Sequence, residues 1–259
     1  MPAAVEFQNV SKRFAGMNHP ALDQVSLTID EGELVTVLGT SGGGKTTLIK
    51  LINRLHDPDE GRVLVEGRDV QDADPVQLRR GIGYVIQQTG LFPHMTVAEN
   101  IATVPKILKW EPARVAARVD ELLDLVGLDP AEFRDRYPAQ LSGGQQQRVG
   151  LVRALAASPK LMLLDEPFGA LDAITRVGLQ DELLKIHRAT AGTFIFVTHD
   201  IAEAFKLGTK VLVIDRGRVQ QFAAPEEIQR HPATDFVRTL LRSGGWMDRR
   251  GYVDEGAAI

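Results

Sequence analysis

The chain has 259 residues, 44% of them hydrophobic and 25% charged, with a formal net charge of −4. That is a globular composition, enough for one large core or one core with a subdomain, and it speaks against a surface built to coat nucleic acid. The lack of cysteine excludes disulfides and thiolate metal sites, and no apolar run reaches the roughly 18 residues of a membrane span. Residues 1–20 hold no basic-then-apolar leader, so a cytosolic protein is expected, with any link to a membrane made through a partner.

In chain order, Val5, Phe7 and Val10 mark a first strand, followed by the polar stretch Ala15–Pro20. Val25, Leu27 and Ile29 alternate with polar residues as a half-buried strand does. Phe14, just past the first strand, is either a core aromatic or a surface on which a nucleotide base stacks; position alone leaves both open.

Leu34–Leu38 is an apolar run of buried-strand type, and Leu48–Ile52 continues without a breaker as a helix. Between them Gly39–Thr47 reads GTSGGGKTT, with Gly39, Gly44, Lys45 and Thr46 at the fixed positions of the phosphate-loop pattern. Thr40, Ser41, Gly42, Gly43 and Thr47 complete the loop. Glycines let backbone N–H groups curl around a phosphate, and the helix start adds further donors and a positive dipole end. Lys45 is expected over the β- and γ-phosphates, with the Thr46 hydroxyl on Mg²⁺.

Asp57–Gly61 turns the chain into a strand through Val63 and Val65 and a hairpin turn at Glu66-Gly67. Ile82–Ile86 is a further strand that opens into a loop at Gln87-Gln88. From about Thr96 to Ala157 the pattern is helical: Val115, Val119, Leu122, Leu123 and Val126 recur at three- and four-residue spacing, and Gly127 is a suitable stop. In Leu141-Ser142-Gly143-Gly144-Gln145, Ser142 can cap a helix, but capping gives no reason for two glycines in its first turn. Each costs about 1 kcal/mol there, and a second anion site explains them better.

Beyond this stretch, strands and helices alternate again. Leu161–Leu164 ends in Asp165-Glu166, a pair that can orient Mg²⁺ (Asp165) and polarise an attacking water (Glu166). Thr193–Val197 precedes His199, placed to reach a γ-phosphate. Val211–Ile214 leads into Asp215-Arg216-Gly217, a hairpin turn before Val219. The alternation predicts an α/β fold with a mainly parallel sheet and helices on both faces. Residues 244–259 have no period and read as a loose tail.

Together these stretches resemble the ATP-binding subunits of ABC transporters over about residues 5–240: Phe14, GTSGGGKTT, Gln87, LSGGQQQRV, LMLLDE, Gly169-Ala170-Leu171-Asp172 and His199. The resemblance implies a P-loop NTPase fold with a RecA-like core, an N-terminal antiparallel β subdomain and an inserted helical subdomain. On that reading residues 1–243 form the ATPase domain, with 1–88 and 158–243 as core and 89–157 as the helical subdomain. It implies ATP and Mg²⁺ as cofactors. Phe14 would stack on adenine, while Thr46, Gln87 and Asp165 would serve the metal. Glu166 would be the general base and His199 the γ-phosphate sensor, with Lys45 completing the catalytic set. Ser142, Gly143 and Gly144 would contact the γ-phosphate of an ATP held by the other protomer of a head-to-tail homodimer, and Gln145 and Asp172 would also bind the nucleotide.

Leu91–Asn100 looks like the surface that receives a coupling helix of a transmembrane permease subunit. An extracytoplasmic solute-binding protein would act indirectly, and the subunit would lie at the cytoplasmic face of the membrane without nucleic acid. Stretches such as INRLHDPDEGRV, VPKILKW and DEPFGALDAITR are similar to importers of osmoprotectant quaternary amines. An importer for another small solute, or a non-transport ABC ATPase, remains the alternative. Many members carry paired CBS modules after the ATPase; none is expected within residues 244–259.

Overall fold

The computed structural model describes residues 2–87, 90–169 and 171–246. Strands β1 (Ala3–Lys12), β2 (Leu22–Asp30) and β3 (Leu34–Gly39) lead to helix α1 (Lys45–Ile52). Then come β4 (Glu60–Val65), β5 (Arg68–Asp69), α2 (Pro75–Arg80) and β6 (Ile82–Val85). Helices α3 (Val97–Ile101), α4 (Thr103–Ile107), α5 (Pro112–Leu125), α6 (Pro130–Phe133) and α7 (Gly143–Leu155) precede β7 (Leu161–Asp165). The chain continues through α8 (Ala173–Thr190), β8 (Thr193–Thr198), α9 (Ile201–Leu207), β9 (Lys210–Asp215), β10 (Arg218–Ala223), α10 (Pro225–Arg230) and α11 (Asp235–Ser243). These elements fall into two compact units, one of residues up to 78 with those from 193 onward, the other of residues 79–192.

The first unit contains an antiparallel sheet in the order β2-β1-β4-β5. Val25, Leu27 and Ile29 face inward on β2 as their alternation requires. On β1 the inward set is Val5, Phe7 and Val10, a spacing that breaks the two-residue period. The cause is a bulge: the register shifts between Phe7 and Val10, Asn9 takes a left-handed φ of 51°, and its N–H donates to Ser26 Oγ. The unit's other strands pair in parallel, β3 with β8 and with β9, while β10 returns antiparallel to β9. β3 and β8 are buried at every residue, which is why both read as mainly apolar runs, with Thr36 the one polar residue inside β3 and threonines at the ends of β8.

Against β3 and β9 lies a core of Phe205, Val213, Ile228, Val237 and Leu241 that also takes in Trp246. The expected loose tail therefore begins later than residue 244. Gly245 adopts φ 78°, the Trp246 N–H returns to Leu241 O, and the indole stacks on Phe205 with ring centres 5.2 Å apart. A glycine-closed helix end folds an aromatic back onto the core, a pattern with no period to reveal it. The rest of the expected tail, 247–259, lies outside the described residues.

In the second unit β6 runs parallel to β7. Helix α5 buries Val115, Val119, Leu122 and Leu123 and stops before Gly127, whose φ is 65°. Asn100 is fully buried; its amide donates to Phe92 O, Met95 O and Thr96 O and accepts from Phe92 N–H. One side chain thus fixes the backbone of the loop ahead of α3. Helix α2 has no buried residue, so no apolar pattern could announce it.

Candidate functional site

In the first unit, β3 hands directly to the loop and α1. Gly39 is required by packing, since a Cβ there would lie 2.0 Å from Ile214 O. Gly44 takes φ 107°, and its Cβ would lie 2.3 Å from Ala21 O. Lys45 is buried, its ammonium donating to Gly39 O and Thr40 O at 2.9 Å each. The loop therefore wraps a cation, and no side chain caps α1, whose first turn carries no acid. This is an arrangement for holding an anion at a helix start.

Phe14 is half-buried and outside the core, which leaves its ring accessible for stacking. His56 meets it nearly edge-on at 5.1 Å, and the Lys12 ammonium lies 5.6 Å from the ring centre. Asp59 holds this corner, accepting from Lys12 Nζ at 2.7 Å and from Arg13 N–H at 2.6 Å. Those two bonds, Lys12 first, keep the Asp59 carboxyl below its ordinary range. Burial, then Lys50 and Lys12, lower the pKa of His56. His199 follows β8, exposed, in the same unit.

The second unit gathers the carboxylates. Asp165 ends β7, buried. Tyr84 nearby is pushed up to about 12, by burial first and then by the Asp165 charge. Glu166 has φ 45°, a left-handed backbone that costs a residue with a Cβ roughly 1–2 kcal/mol. Gln87 Nε2 donates to Glu166 Oε2 at 3.3 Å, so these two expected site residues meet in the fold.

Helix α7 opens with a reciprocal cap: Gln145 N–H donates to Ser142 Oγ at 3.3 Å, and Ser142 N–H to Gln145 Oε1 at 2.9 Å. The two glycines that follow differ. A Cβ on Gly144 would lie 2.7 Å from Thr175 Cγ2, whereas one on Gly143 would meet no described atom within 4 Å beyond its own helix backbone. Asp172 caps α8 by accepting from Thr175 N–H at 3.0 Å. Its carboxyl is held low by Thr175, through the side chain first and then the backbone. Gln88 and Ala170, beside Gln87 and Asp172, lie outside the described residues.

The expected site residues thus form two sets. Phe14, Gly39–Thr47 and His199 belong to one unit; Gln87, Ser142–Gln145, Asp165, Glu166 and Asp172 belong to the other. The proposed metal donors, Thr46, Gln87 and Asp165, offer only oxygen from hydroxyl, amide and carboxylate, a hard set that suits Mg²⁺. Among the described residues no three His, Asp or Glu converge as a cation cage. Mg²⁺ needs none, because it keeps waters and phosphate oxygens. Sequence reasoning passed over Asp215, whose carboxylate accepts from Thr40 Oγ1 at 2.9 Å, because 175 residues separate the pair.

The ABC transporter family model matches residues 22–169, more than half of the chain. This chain belongs to the ABC transporter family. As a family member it is 48% identical over 255 residues to a carnitine transport ATP-binding protein of Listeria monocytogenes, covering 98% of this chain and 64% of that one. It is 50% identical over 237 residues to a glycine betaine/carnitine/choline transport ATP-binding protein of Bacillus subtilis, covering 92% of this chain and 62% of that one. The ABC chain therefore spans just under two thirds of the length of these relatives. Among solved structures, a dimeric ATP-binding cassette in a post-hydrolysis state with ADP and Pi matches with a TM-score of 0.75 at 36% identity. That match covers 85% of this chain and 98% of the other. The α/β architecture with its antiparallel β subdomain is the P-loop fold of the ABC family.

Proposed function

We propose that the chain is the ATP-hydrolysing subunit of an importer for osmoprotectant quaternary amines such as glycine betaine, choline or carnitine. The observation that carries this is near-half identity, over almost the whole chain, to transport ATP-binding proteins named for those solutes. Phe14 stacks on adenine, and Gly39–Thr47 wraps the phosphates with Lys45 neutralising them. Thr46, Asp165 and Gln87 hold Mg²⁺, which when bound offsets phosphate charge. Glu166 takes a proton from the attacking water as its oxygen bonds to the γ-phosphorus and the bond to the β-bridging oxygen breaks, leaving ADP and Pi. His199 contacts the γ-phosphate.

Two copies sandwich two ATPs, each nucleotide meeting Ser142–Gln145 and Asp172 of the other protomer. The bare Gly143 supports this reading: no described atom within 4 Å beyond its own helix backbone occupies the place of a Cβ, which leaves room for a molecule to approach from outside. The structural relative is itself a dimer. Among the described residues no helix is long and apolar enough to cross a membrane. Attachment at the cytoplasmic face then runs through a permease coupling helix at Leu91–Asn100, where Phe92 is exposed on a backbone pinned by Asn100.

The test is reconstitution with the membrane and solute-binding proteins encoded beside it, measuring ATP turnover with each solute. Stimulation by a quaternary amine supports the assignment. Stimulation only by a polar amino acid or a sugar removes the osmoprotectant reading and leaves the ATPase.

A further inference from the structure

We propose that the turn joining β9 to β10, Asp215-Arg216-Gly217, is a positioning element of the nucleotide site. It holds the phosphate loop in its anion-accepting shape when Lys45 turns to the ligand. The proposal rests on reading Gly39–Thr47 as that loop.

A loop that aims its N–H groups at an anion must point its carbonyls away, and those carbonyls need donors of their own. Here Gly39 O and Thr40 O take the Lys45 ammonium, Thr40 O also takes Gly43 N–H at 3.0 Å, and Gly43 O takes Gly217 N–H at 3.0 Å. A bound phosphate competes for the ammonium and weakens both of its bonds to the loop. Bonds that do not involve the ammonium include Gly43 N–H to Thr40 O, Gly217 N–H to Gly43 O, and Thr40 Oγ1–H to Asp215 Oδ1 at 2.9 Å. Two of these three come from the turn.

The turn is itself anchored. Gly217 has φ 77°, its Cβ would lie 2.9 Å from Ala21 O, and its carbonyl accepts from Asp23 N–H at 2.9 Å. Arg218 grips Asp23 Oδ2 through Nε at 2.8 Å and Nη2 at 2.7 Å. The brace therefore runs from β2 through the turn to the loop. Arg216, 84% exposed and with Nε 4.0 Å from Asp215, is a weak competitor for that carboxylate. Thr40 is the joint, since it alone meets the loop by its carbonyl and the turn by its hydroxyl.

The experiment measures binding of Mg²⁺ with the non-hydrolysable analogue AMP-PNP by calorimetry on the full chain, and steady-state hydrolysis of Mg-ATP. Thr40→Val and Asp215→Ala each raise Kd about three- to tenfold, the size of one partly exposed hydrogen bond. The double variant is no weaker than either single one, because both remove the same bond. Thr40→Ser keeps the hydroxyl and binds like the native chain. Asp215→Ala raises KM with kcat within about twofold, a split that general loosening of the fold does not give. Should Asp215→Ala fail to fold, the Thr40→Val and Thr40→Ser pair decides from the other end of the bond.

Unchanged Kd in Thr40→Val and Asp215→Ala, or effects that multiply in the double variant, overturns the brace. Lys45→Ala separates this from the underlying reading. If Lys45→Ala also binds AMP-PNP like the native chain, the phosphate loop itself is misassigned and the brace falls with it.

Discussion

Two helices of this protein begin on glycines, and they use them differently. At the start of α1, Gly39 and Gly44 answer to the chain's own atoms, Ile214 O and Ala21 O, which leave no room for a Cβ. At the start of α7, Gly144 answers to Thr175, but Gly143 answers to none of the described atoms within 4 Å. A glycine demanded by the fold is legible as architecture; at Gly143 the described atoms leave open space, as they also do at Gly178. The first pair is fixed by the chain's own packing, and the proposed function gives Gly143 its partner in a second copy.

The largest expected effect tests for that second copy. Glu166→Gln lowers kcat at least about a thousandfold by removing the general base, yet keeps nucleotide binding and accumulates a dimer at saturating Mg-ATP. Size-exclusion chromatography reads this directly, and a variant that stays monomeric removes the second copy from the comparison. Next comes Gly39→Ala, whose new methyl group collides with backbone. A loss of about 3 kcal/mol or more in denaturant unfolding is expected, and an unchanged midpoint would show that the loop is not closed by Ile214.

Gly143→Ala is the converse. It leaves unfolding unchanged or stabilises the chain by up to about 1 kcal/mol, as alanine does in a helix, while ATP turnover falls roughly tenfold or more. Full turnover in this variant would make Gly143 an ordinary surface residue. The smallest effect belongs to the corner of the first site. Asp59 has its pKa lowered by Lys12 and Arg13, so its contribution is present above the ordinary carboxylate range and is lost as pH falls through the lowered folded value. Asp59→Asn should unfold slightly earlier than the native chain at pH 7, and the gap should close only once the pH falls below the lowered folded value; a gap that persists beyond that points to packing instead.

The strands and the phosphate loop were legible because burial imposes a period and the loop imposes residue types. β3 and β8 are buried and mostly apolar, interrupted only by threonines, since both faces are covered, and β2 alternates since one face is. The Val5, Phe7, Val10 spacing was legible as a strand but not as a bulge, because the Ser26 that receives Asn9 N–H is on another strand. Helix α2 was silent for want of any buried residue, and Trp246 for want of neighbours in sequence that share its face. At the site, residue types announced Lys45, Asp165, Glu166 and Ser142. The Thr40–Asp215 hydrogen bond and the close approach of Thr175 to Gly144 join segments far apart in sequence, and no local pattern encodes them.

The chain contains two tryptophans, and the fold puts one in each compact unit. Trp246 is buried against Phe205, while Trp110 is half-buried under the Arg114 guanidinium at 3.6 Å. Their surroundings differ enough to separate their emission: the first indole sees hydrocarbon, the second a cation and water. Trp246→Phe would leave a chain whose fluorescence reports on residues 79–192 alone, and Trp110→Phe one that reports on the other unit. The protein thus carries its own pair of optical labels, one for each compact unit.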